Sequence, residues 1–83
     1  MTKYYFNKKE NICAEEMWVV GYIMNKFPEE YVSEYDPIER KRVLHALRNK
    51  DFNEGFLVPV VEEIRNWRKC TVSDTIYDCM EYR

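Results

Sequence analysis

His45 is the one imidazole in 83 residues, and with Cys13, Cys70 and Cys79 it makes up the set from which nucleophilic or metal chemistry would have to be built. A triad needs a nucleophile hydrogen-bonded to a base that a third group orients. His45 stands instead among Lys41, Arg42 and Arg48, with no serine, cysteine or carboxylate beside it in sequence. Zinc sites are built from cysteine and histidine at short recurring spacings, and three cysteines without a CxxC pair do not supply one. An odd cysteine set also fits no disulfide framework, so the thiols read as small, buried, reduced hydrophobes. Cys13 has a sharper alternative in the first turn of a helix, where the dipole favours a thiolate, but Glu15 and Glu16 oppose it. Gly21 and Gly55 are isolated, which rules out a phosphate-cradling loop. The carboxylates lie at helix starts, where capping accounts for them. The chain is expected to have no catalytic residue, no cofactor and no metal, and not to be an enzyme.

Two charge stripes are candidate contact sites. Lys41, His45 and Arg48 recur at helical spacing with Arg42 nearby, a basic face that could hold phosphates or an acidic patch on a protein. A helix that reads a major groove normally also carries Asn, Gln, Ser or Thr toward base edges, and only Asn49 qualifies, so nucleic acid is the second choice of partner. Asp74, Asp78 and Glu81 form an acidic stripe near the C-terminus. Paired internally, the two stripes are a surface network worth little; pointing apart, they would orient self-association or docking.

Aromatic residues make up 16% of the chain, more than a small core encloses with every phenol and indole satisfied. Tyrosine and tryptophan dominate interface energetics, so Tyr4, Tyr5, Trp18, Tyr22, Tyr31 and Tyr35 are the candidate protein-binding residues. Gly21 lies between Trp18 and Tyr22 and would let another backbone approach. Tyr4, Tyr5 and Phe6 near Lys3, Lys8 and Lys9 could stack single-stranded bases, though no binding-strand motif accompanies them.

These residues must be positioned by a mainly α fold, a small compact bundle of four to five short helices in one domain over residues 1–83. Lys3 to Phe6 is β-prone and adds one short N-terminal strand or arm. Asn11 caps a first helix from Ile12 to Phe27, which Pro28 stops. That helix is apolar almost all round: Cys13, Met17, Val20, Met24 and Phe27 form one stripe, Ile12, Val19 and Ile23 a second, Trp18 and Tyr22 a third. Such a helix needs cover on every side, and a chain this short does not supply it all, leaving area for a partner or a second copy. Pro28 to Tyr35 reads as a short helix. Asp36, Pro37 and Glu39 occupy cap, first and third positions of a helix Pro37 to Asn49. Gly55 marks a turn, a helix runs from about Pro59 to Lys69, and Thr71 with Asp74 caps a last helix from Val72 to about Tyr82.

A formal charge of −2 is too small to argue for a nucleic-acid binder as a whole. No window reaches the length of a membrane span and no signal-peptide core is present, so no membrane contact and a cytoplasmic location are expected. FNEGF, Phe52 to Phe56, is similar to a segment of a small helical phage anti-sigma factor, in otherwise unlike surroundings, and assigns no family. In size and composition the chain resembles proteins with which phages and mobile elements block larger host enzymes, anti-CRISPR proteins among them. That resemblance implies a steric inhibitor of a larger, nucleic-acid-processing protein, monomeric or homodimeric. The alternative is a small nucleic-acid-binding regulator that uses residues 37–49.

Overall fold

A computed structural model describes residues 3–53 and 55–70. Among them the order is β1 (Tyr4–Asn7), β2 (Ile12–Glu15), α1 (Glu16–Lys26), α2 (Pro37–Asn49), α3 (Val58–Arg65) and β3 (Trp67–Cys70). Three helices against a three-stranded antiparallel sheet of order β2-β1-β3 make an α+β fold, which corrects the expected helical bundle. The expected helix over 72–82, with Asp74, Asp78 and Glu81, lies outside the described residues.

The correction has a common cause, the central strand β1. Its run of Tyr4, Tyr5 and Phe6 must satisfy backbone groups on both edges. Residues 12–15 pair with one edge, Tyr5 opposite Ala14, and residues 67–70 with the other, Tyr5 opposite Lys69. The helices expected over Ile12–Phe27 and about Pro59–Lys69 therefore give way to strands at these segments. Asn11 is a special position, as its sequence suggested, but for another reason: with φ 56° it turns the chain between β1 and β2, and it caps nothing. α1 therefore begins four residues later, where the Glu16 backbone N–H donates to the Lys3 carbonyl at 2.9 Å.

Residues 28–35 do not form the expected helix. Glu30 and Tyr31 both donate to the Phe27 carbonyl, and the chain then runs irregularly to Asp36. Tyr31 anchors this connection in the core, and burial pushes its phenol up to about 12. α2 keeps the bounds that its cap chemistry dictates. The Asp36 carboxylate accepts from the backbone N–H of Ile38 at 2.9 Å and of Glu39 at 3.3 Å, and Lys50 ends the helix at φ 53°.

The strand period divides β1 between two faces. Tyr5 points to the helices and is enclosed with Val19, Val20, Ile23, Val43, Leu47 and Trp67. Phe6 points the other way and packs with Cys70, Tyr4 and Cys13. Cys70 is a buried thiol, but Cys13 is disulfide-bonded, so the expectation of three reduced cysteines fails there. Among the described residues no helix is long and apolar enough to cross a membrane.

Candidate protein-contact surface

α1 buries Val19, Val20, Gly21, Ile23 and Met24 against the sheet and α2. Among the described residues, nothing encloses its remaining apolar side. Met17 is 48% exposed and Trp18 51%, and the neighbouring connection and α2 add Tyr35 at 76% and Ile38 at 70%. Met17, Trp18 and Tyr35 belong to one surface, and Ile38 lines a separate groove with Pro37, Lys41 and His45. A groove of about 290 Å³ is lined by Trp18, Tyr22, Asn25 and Glu34, together with Met17, Tyr35 and Arg40. A second groove, about 310 Å³, shares those last three and continues over Pro37, Lys41 and Leu44.

The aromatic part of the surface is tied to the core. Trp18 stacks on Tyr22 with ring centroids 5.1 Å apart and planes 18° from parallel. Tyr22 meets the buried Trp67 edge-on at 5.6 Å. Below them, the Trp67 Nε1–H donates to Glu63 at 3.1 Å, and Lys26 reaches the other oxygen of the same carboxylate at 3.1 Å. The Lys26 ammonium also lies 5.2 Å from the centre of the Tyr22 ring. A half-exposed indole backed in this way is pre-organised, so little side-chain freedom remains to be lost on binding.

The polar floor holds the connection against α1. Arg40 donates to the carbonyls of Glu34 at 2.6 Å and Met17 at 3.3 Å, and Asn25 donates to the Glu34 carboxylate. Gly21 faces these groups, and the chain's own Glu34 and Arg40 side chains lie beside it. A Cβ at Gly21 would stand 3.4 Å from Glu34 Oε2 and 3.7 Å from Arg40 Nη1, ordinary contact with flexible ends. Gly21→Ala is expected to raise stability by about 0.5–1 kcal/mol through helix propensity, read from urea unfolding. A loss of stability would show that the floor cannot yield.

Of the six aromatic candidates, the structure brings together Trp18, Tyr22 and Tyr35. Tyr5 and Tyr31 are buried, and Tyr4 is half-buried on the far face of the sheet. Burial of Tyr5 and Phe6 also dismantles the imagined base-stacking platform. Met17 and Arg40 are not among the sequence-based candidates: Met17 falls in one of the apolar stripes of the first helix, and Arg40 carries no periodic signal.

The basic stripe of α2 does not form one face of available charge. Arg48 makes a bidentate pair with Glu16, at 2.9 and 2.7 Å, and Tyr5 donates its hydroxyl to the same carboxylate at 2.8 Å. The Arg48 guanidinium holds the Glu16 carboxyl below the usual carboxylate range, and burial followed by Glu16 pushes the Tyr5 phenol up. Arg42 pairs with Glu39 at 3.0 Å and lies over Phe56. His45 meets Asp51 at 3.3 Å, and the Asn53 backbone N–H, with His45, keeps Asp51 below its ordinary value. Only Lys41 of the stripe makes no ion pair among the described residues.

Among the described residues no group of three or more His, Cys, Asp or Glu could hold a metal ion. Comparison with protein-family models, curated proteins and solved structures finds no match. Function must be argued from the surface itself.

Proposed function

We propose that the chain is a small protein-interaction module that acts by covering a site on a larger protein. The observation that carries this reading is the joined exposure of Met17, Trp18 and Tyr35 along two adjoining grooves. A connected apolar surface with a rigid indole at its centre is the usual anatomy of an interface core. The mechanism is steric: the aromatic anchors supply burial, and charge at the rim sets orientation and rate. Within this proposal the partner is a host enzyme, nucleic-acid-processing in kind, that a phage or mobile element has reason to block, as anti-CRISPR proteins do.

Affinity capture from the native host's lysate, followed by binding measurements with the captured protein, tests the reading. Trp18→Ala and Tyr35→Ala are each expected to weaken binding about 30-fold or more, the effect of removing a central anchor, while the domain stays folded. Undiminished capture by both variants would remove the surface from consideration. Salt separates the nucleic-acid alternative: binding through phosphates falls steeply as salt rises, whereas docking through Trp18 and Tyr35 changes little. Light scattering on the eluted protein tells a homodimer on the same surface from a monomer.

A further inference from the structure

Arg40 and Lys41 give the proposed surface a chemical preference. Both line the groove of about 310 Å³ whose remaining walls are Met17, Tyr35, Pro37 and Leu44. Neither makes an ion pair among the described residues. Arg40 is bound by two carbonyls, which fix its position without neutralising it. No carboxylate lines this groove: Glu34, which accepts from Asn25, lines the adjoining one, Asp36 caps α2, Glu39 holds Arg42 and Asp51 meets His45. An apolar trough is thus left with two positive side chains at one wall and no carboxylate among the residues that line it.

Resting on the interaction reading above, we infer that this groove receives an acidic, apolar peptide segment of the partner protein. An aliphatic or aromatic side chain fills the trough over Met17, Tyr35 and Leu44, and a neighbouring glutamate or aspartate reaches Lys41 and the outward edge of Arg40. Charge complementarity selects this occupant. Two cations beside hydrocarbon suit one or two carboxylates on a greasy segment. A duplex would need a longer row of cations, and Arg48, which would extend the row, is held by Glu16.

Two capped five-residue peptides test this, one alternating leucine with glutamate and one alternating leucine with lysine. Each is titrated into ¹⁵N-labelled full-length protein. The glutamate peptide is expected to shift the amide signals of Met17, Tyr35, Lys41 and Leu44 and to bind at least 10-fold more tightly than the lysine peptide. Lys41→Glu, an exposed change on a helix surface, is expected to reverse that order. Equal binding by both peptides, shifts confined to other regions, or no shifts at millimolar peptide would overturn the inference. So would displacement of the peptide by a duplex oligonucleotide, which would assign the cations to phosphate. Partner capture that depends on Trp18 but ignores Lys41→Glu would sink the acidic segment alone, whereas capture indifferent to Trp18 and Tyr35 would sink the interaction reading beneath it.

Discussion

Glu16→Ala is expected to destabilise the domain by about 3 kcal/mol, a large share of the roughly 4–12 kcal/mol that a chain of this length holds. Glu16 stands where β2 passes into α1, with its side chain only 10% exposed, and joins three elements at once. Removing it leaves the fully buried Tyr5 hydroxyl without its acceptor, at about 1–3 kcal/mol. It also ends the bidentate pair with Arg48, which loses less than a fully enclosed pair because the guanidinium still reaches water. Urea unfolding measures the sum, and a double-mutant cycle divides it: in a Tyr5→Phe background, Glu16→Ala is expected to lose less stability. Acid gives an independent check. Because the folded carboxyl lies below its unfolded value, the stability it adds is present above about pH 4.3 and disappears as pH falls through the folded value. The gap between wild type and Glu16→Gln should hold constant from neutrality to about pH 5 and close at lower pH. A gap that widens in acid would contradict the assignment.

Trp67→Ala is expected to be more damaging still, by about 3–5 kcal/mol, and to leave little folded protein at 37 °C. Trp67 is fully enclosed, its ring meets Tyr22, and its indole N–H satisfies Glu63, which is itself buried. It also opens β3, so its loss loosens the edge that pairs with β1. Trp18→Ala makes the same deletion on the face of α1 and should lower stability by only about 1–2 kcal/mol, since half of the ring is already in water and alanine favours the helix. Thermal unfolding of the two variants side by side gives the contrast. Equal losses would mean that Trp18 serves the core.

The two tryptophans show what the sequence could and could not convey. Elements written in local chemistry were legible: Asp36, Pro37 and Glu39 define the start of α2 because capping involves only neighbours along the chain. Elements decided by distant pairing were not. Ile12–Glu15 and Trp67–Cys70 became strands because β1 needed partners on both edges, and segments of four residues are too short for their own pattern to decide between the two periods. The candidate surface was partly legible. An apolar circumference too wide for its domain pointed to Trp18 and Tyr22, and aromatic surplus pointed to Tyr35. Charge was misleading, since Arg48 meets a carboxylate 32 residues away and no spacing rule announces such a pair. Arg40 joins the surface because the connection between α1 and α2 folds beside α1, a long-range placement that no local spacing encodes.

Acrylamide quenching of tryptophan fluorescence tests the central claim, an uncovered contact face on α1, most directly. Trp67 has no exposed surface and Trp18 is 51% exposed, so each state of the protein reports on Trp18 almost alone. The expected result is one readily quenched tryptophan in the isolated protein, and loss of that quenching in the complex with its captured partner. Shielding of both tryptophans in the isolated monomer, or quenching unchanged in the complex, would contradict it.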